Sequence, residues 1–148
     1  MTGTTSPDYA IRLRNNNRDY YGQVIQTVLS RSPSTDGRLS HDVQLGLRWH
    51  EDEEDRFQDD DGFRMQDGRL VLTTDGAPGS QDNRVSDARA FAAYVQDELS
   101  FGSWIVTPGL RFESIDLVRR DYSRSDPDRS EGPTRVRRNS IDELIPGL

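Results

Sequence analysis

His41-Asp42-Val43-Gln44-Leu45-Gly46-Leu47-Arg48-Trp49-His50 alternates strictly in polarity. Val43, Leu45, Leu47 and Trp49 share one phase; Asp42, Gln44, Gly46, Arg48 and His50 share the other. Successive side chains of a strand point to opposite faces, so this run specifies a strand with one apolar side. On a helix the same apolar positions would spread around the axis. Outward from this stretch, Trp104 to Val118 repeats the pattern, with Trp104, Val106, Pro108, Leu110 and Phe112 in one phase. A proline cannot donate to a ladder, so Pro108 predicts a bulge or a gap there.

Two further runs are less clean. Residues 86–100 hold Phe91, Ala93, Val95 and Leu99 in one phase, which Asp97 interrupts. Residues 18–30 are rich in Tyr, Val, Ile and Thr, which favours strand. The expected strands are therefore 18–30, 38–52, 86–100, 104–118 and 134–145. Short turns fall at 31–37 and 101–103. Long charged loops fall at 53–84 and 121–133. The longer loop has room for a hairpin, because Arg69-Leu70-Val71-Leu72-Thr73 lies between the turn dipeptides Asp67-Gly68 and Asp75-Gly76.

This order predicts an all-β antiparallel meander of about five long strands. All short turns lie on one rim and all long loops on the other, which is the layout of an outer-membrane barrel. A strand of about 15 residues at ~3.3 Å rise is roughly 50 Å long. Tilted about 40°, it stands roughly 38 Å tall, more than a ~25 Å apolar band. Five strands are too few to close a membrane barrel, and lipid does not tolerate open edges. The expectation is a piece of a larger barrel.

Composition narrows the alternatives. Only 32% of the 148 residues are hydrophobic, too few for a large buried core. There is no cysteine, which excludes disulfide scaffolds and Cys-based metal sites. No run of apolar residues is long enough for a transmembrane helix. All 19 basic residues are arginine, against 26 acids, for a net charge of −7. That balance speaks against a nucleic-acid partner, which needs positive charge to displace counterions. The opening residues MTGTTSPDYA lack the charged and apolar regions of a signal peptide. If the protein is exported, its true start is expected upstream.

The run Ala93-Tyr94-Val95-Gln96-Asp97-Glu98-Leu99-Ser100-Phe101-Gly102-Ser103-Trp104-Ile105-Val106-Thr107-Pro108-Gly109-Leu110-Arg111-Phe112-Glu113 resembles a hairpin of TonB-dependent outer-membrane receptors. His41 to Glu54 resembles the preceding strand of those barrels, and Asp142-Glu143-Leu144-Ile145-Pro146-Gly147-Leu148 the start of a following one. The resemblance runs over about residues 18 to 148, apart from 57–82, and is strongest to the ferric citrate branch of the ferric-siderophore receptors. It implies a fragment of a 22-stranded transmembrane β-barrel whose plug domain is absent from this chain. It also implies a Gram-negative outer-membrane location and import of a ferric siderophore or ferric citrate, driven by the TonB complex. The expected partners are then that chelate, the missing plug and barrel strands, the TonB complex through the absent amino-terminal part, and outer-membrane lipid. The ferric chelate would be cargo, and no cofactor is expected.

The apolar phase must meet lipid, so the polar phase looks inward. Arg48 and Arg111 fall in that polar phase, on strands running the same way with one strand between, about 10 Å apart laterally. Two guanidinium forks so placed suit a ligand bearing carboxylates. The resemblance implies the same role, since ferric citrate receptors carry ligand-contacting arginines at these motif positions. The alternative is that both arginines pair with wall carboxylates such as Asp42, Glu98 or Glu113. Trp49 and Trp104, in the apolar phase near strand ends, suit the aromatic girdles of a barrel. His50 to Asp55 reads as a solvated strand top, and Asp59-Asp60-Asp61-Gly62 as a turn. No metal site is expected from either, because neighbouring strand residues face opposite ways. No catalytic residues are expected: there is no G-x-S-x-G elbow and no phosphate loop. The other readings are a segment of a passive porin, which would lack the quoted hairpin, and a soluble β-rich binding module, which would need shorter strands.

Overall fold

The computed structural model describes residues 5–32 and 39–147. Its regular elements are all strands: β1 (Ile11–Arg31), β2 (Ser40–Gln66), β3 (Arg69–Thr74), β4 (Asp82–Phe101), β5 (Trp104–Val106), β6 (Gly109–Tyr122) and β7 (Pro133–Gly147). They form one antiparallel sheet in the order β1-β2-β4-β6-β7, with β3 paired to β2 and β5 to β4. The five-strand path is the meander that alternation predicts. Most of the expected turn at 31–37 lies outside the described residues.

The strands are longer than the apolar alternation alone suggests. β2 runs on to Gln66, so the expected loop at 53–84 and the expected turn at Asp59-Asp60-Asp61-Gly62 are corrected to strand over much of their length. The reason is pairing by polar groups. Arg14 Nε donates to Asp60 at 2.8 Å, Gln58 donates to Asn16, and Arg18 lies 3.4 Å from Glu54. Opposed hydrogen-bonding partners hold a strand pair together without an apolar face. The hairpin within this region closes on Asp67 (φ 50°) and Gly68 (φ 75°), both left-handed, as a two-residue turn between paired strands requires. Asp75 and Gly76 only end β3; the next turn is at Pro78 and Gly79.

β4 and β5 are joined across Gly102 and Ser103, with Phe101 opposite Trp104. The ladder then breaks at Thr107 and Pro108, where the proline was expected to interrupt it. The Asp97 N–H still reaches Pro108 O at 3.0 Å, so β4 keeps its partner through the gap.

Two compact units divide the chain. One comprises residues up to Tyr21, Glu53–Ser86 and Arg119–Arg137; the other comprises Gly22–Asp52, Asp87–Val118 and residues from Arg138 on. Within the second unit one phase is apolar and open. Ile25, Leu29, Leu45, Leu47, Leu110 and Leu144 are all more than two-fifths exposed. The buried hydrophobic residues among those described are only Ala90 and Ala92, both in the opposite phase. This unit is therefore built inside out, with large aliphatic side chains outward and small ones beneath polar neighbours. The first unit is dominated by ion pairs and amide contacts, and its buried side chains include Gln58, Asp59, Asp60, Asn83 and Asp126.

Candidate ligand-binding site

The polar face of the second unit can be laid out from its contacts. A side chain at Gly22 would meet Asp52 Oδ1 at 3.1 Å, and on the alternate phase Gln23 donates to Glu51 at 3.0 Å, which fixes the same register. Counting in opposite directions along antiparallel strands brings Gln26 opposite Arg48. The Gln96 amide donates to Gln44 at 3.2 Å, which brings Tyr94 opposite Gly46 and Ala92 opposite Arg48. A Cβ on Gly109 would lie 3.4 Å from that of Gln96, which brings Arg111 opposite Tyr94 and Glu113 opposite Ala92. One row of this face thus reads Gly46, Tyr94, Arg111. The next reads Gln26, Arg48, Ala92, Glu113.

Both predicted arginines line one open cavity of about 480 Å³ on this face, together with Gln26, Tyr94, Gln96 and Gly109. Directly opposed residues are about 5 Å apart, and the arginines sit on β2 and β6, with β4 between them and one row apart. Their electrostatic states differ. Arg111 Nε donates to Glu113 Oε1 at 2.5 Å, along its own strand. Arg48 is exposed and has no ion pair among the described residues. Of the three carboxylates considered as wall partners, Glu113 takes Arg111 and none takes Arg48. Asp42 Oδ1 is buried without a partner.

Sequence reasoning missed Tyr94. Its ring covers Gly46, where any Cβ would overlap ring atoms Cδ1, Cε1 and Cζ. The available signal was the glycine itself: a glycine inside a clean strand marks a close approach by something else. Gly46 leaves room for the ring, and Ala92, opposite Arg48, is the small residue beside the guanidinium stem.

The first unit holds a second set of polar contacts. Arg14 forks onto Asp60, at 2.8 and 3.1 Å, and Arg12 approaches the same carboxylate at 3.4 Å. The Arg14 hydrogen bond holds the Asp60 carboxyl below the usual carboxylate range, against the opposing effect of burial. On the alternate phase of β2, Asn15 donates to Asp59 at 2.7 Å and Asp61 at 3.0 Å. Adjacent acids therefore face opposite ways, as strand geometry requires. Arg129 binds Asp55, donates through Nε to Asn83 at 2.7 Å, and lies over the rings of Phe57 and Tyr122 at 5.5 and 4.8 Å. The Asp55 hydrogen bond raises its already high pKa.

Residues 2–143 match the family described as TonB dependent receptor-like, beta-barrel. The chain belongs to this family. It is a family of receptors rather than of enzymes, found in the outer membrane of Gram-negative bacteria. Among solved structures, the chain is similar to the ferric citrate transporter FecA in its unliganded form, with a TM-score of 0.64 and 21% sequence identity. The similarity covers 91% of this chain and 18% of that one. At this identity the likeness speaks for the fold. Within the second unit that fold is a long-stranded antiparallel sheet with one apolar phase, and Arg48 and Arg111 line a cavity on the other.

Proposed function

We propose that this chain forms part of the wall of an outer-membrane receptor that binds and imports a ferric chelate. In this reading the wall belongs to a 22-stranded barrel. The exposed apolar phase of the second unit meets lipid, and the opposite phase meets the ligand. Arg48 and Arg111 hold carboxylates of the chelate, a ferric siderophore or ferric citrate. A plug domain, the remaining strands and the TonB complex supply the rest of the transport cycle. Membership of the receptor family favours this over a passive porin or a soluble binding module.

The observation that carries the reading is the convergence of two arginines from separate strands on one open cavity, one of them with no ion pair among the described residues. An unpaired guanidinium beside amide donors favours an anion rich in oxygen. The test is binding of ferric citrate to the whole receptor carrying this segment, in outer-membrane vesicles. Arg48→Gln should weaken binding by about tenfold or more, the usual cost of a charge-assisted hydrogen bond. Unchanged binding in both Arg48→Gln and Arg111→Gln would refute the assignment.

A further inference from the structure

The cavity holds a third donor. Tyr94 sits between Gly46 and Arg111 in one row, and its ring leans onto β2 instead of standing upright on β4. The ring atom that bears the hydroxyl, Cζ, is among those over Gly46. The hydroxyl is thereby carried across to the strand of Arg48, two residues from it on the same face. Tyr94 lines the cavity, is half-buried, and has no hydrogen-bond partner for its hydroxyl among the described residues. A half-buried phenol usually finds a partner when the site is complete.

We infer that Tyr94 is a ligand-contacting residue whose hydroxyl donates to an oxygen of the bound anion, and that Gly46 is the positioning residue that allows it. This rests on the proposed binding face. It narrows the ligand to a chelate whose oxygens can accept from two guanidinium groups and one phenol at once, such as an iron complex of a hydroxycarboxylic acid. Of the polar side chains lining the cavity, the two charged ones, Arg48 and Arg111, are both cations, and Tyr94, Gln26 and Gln96 carry further donors. Gly46 contributes by lacking a side chain; even a methyl group would push the ring off β2.

Binding of ferric citrate to the whole receptor in outer-membrane vesicles separates this from the parent reading. Tyr94→Phe removes only the hydroxyl and should weaken binding about tenfold, the scale of a hydrogen bond to a charged group. Gly46→Ala should weaken it by a similar factor in the wild-type background. In a Tyr94→Ala background, Gly46→Ala should have no further effect, because its action runs through the ring. Wild-type binding by Tyr94→Phe, with Arg48→Gln weakened, would overturn the role of Tyr94 and leave the binding face standing. A Gly46→Ala effect that persists without Tyr94 would overturn the positioning role. No effect of any of these substitutions, Arg48→Gln included, would remove the parent reading as well.

Discussion

Arg129 and Asp55, 74 residues apart in the chain, close a two-pronged ion pair, Nη1 to Oδ2 at 2.7 Å and Nη2 to Oδ1 at 2.6 Å. The third donor, Nε, is taken by Asn83 Oδ1, and the Asn83 amide in turn holds the carbonyls of Ser123 and Asp126. The segment between β6 and β7 is thus latched to β2 and β4 through one guanidinium. Arg129→Ala should cost about 2 kcal/mol of unfolding free energy, the scale of a charge-assisted hydrogen bond. Arg129→Lys keeps the charge and loses the fork, so it should recover less than half of that. Urea midpoints of the refolded barrel in detergent would decide this; equal stability of Lys and Arg at this position would contradict a latch based on fork geometry.

A second expectation concerns pH. Asp126 accepts from the N–H groups of Glu131 at 2.9 Å and Ser130 at 3.3 Å, and from the Ser130 hydroxyl at 3.1 Å. These bonds, the Glu131 amide first, hold its carboxyl below the ordinary 3.8. Asp60, fixed by Arg14, is lowered in the same way. A carboxylate whose folded pKa is depressed stabilises the fold fully above its unfolded pKa and loses that contribution as pH falls through the folded value. Stability should therefore be level from neutral pH down to about 5 and decline below the ordinary carboxylate range. Asp126→Asn should be less stable at pH 7 and show a shallower acid decline; the same acid slope in wild type and variant would remove Asp126 from the account.

The two faces of the second unit make a third prediction. Leu47→Arg places a charge among Leu45, Val95 and Leu110 on the open apolar side. In a bilayer this should cost about 2–4 kcal/mol, depending on depth. Gln44→Ala, one face over, should change stability by well under 1 kcal/mol beyond the loss of its bond to Gln96. Refolding into vesicles, compared with refolding into a mild detergent, would check that the Leu47 penalty belongs to lipid.

A fourth prediction uses the difference between the two arginines. Glu113 occupies Arg111 at 2.5 Å. Glu113→Gln leaves the side-chain shape and removes the competing charge, so binding of ferric citrate should tighten several-fold, with Arg48→Gln moving the other way. Weaker binding in Glu113→Gln would mean that the ion pair orients Arg111 for the ligand instead of competing with it.

Legibility in the sequence followed the type of interaction. Where one continuous apolar face dictates a period of two, as at Val43 to Trp49, face and strand were readable directly. The break at Pro108 was readable because a missing N–H is a local property. The extension of β2 through Asp59-Asp60-Asp61 was not. Its stabilising partners, Arg14, Asn15 and Asn16, lie more than 40 residues earlier, and a polar strand paired by side-chain hydrogen bonds has no apolar signature. The placement of Arg48 and Arg111 on one face was visible from phase. Their unequal pairing was not, because it depends on the rotamer by which Arg111 reaches back to Glu113. Tyr94 was hidden for the opposite reason: its partner is the absence of a side chain at Gly46.

The latch at Arg129 also leaves a mark that a protease would read. Trypsin must draw a free guanidinium into an acid-lined pocket before it cuts. Arg124 and Arg129 lie on the same segment, each followed by serine. Arg124 is exposed and unpartnered among the described residues, whereas all three nitrogen positions of the Arg129 head group are taken. Brief digestion should therefore nick the chain after Arg124 and spare Arg129, and the two fragments should stay together because the tie to Asp55 lies beyond the cut.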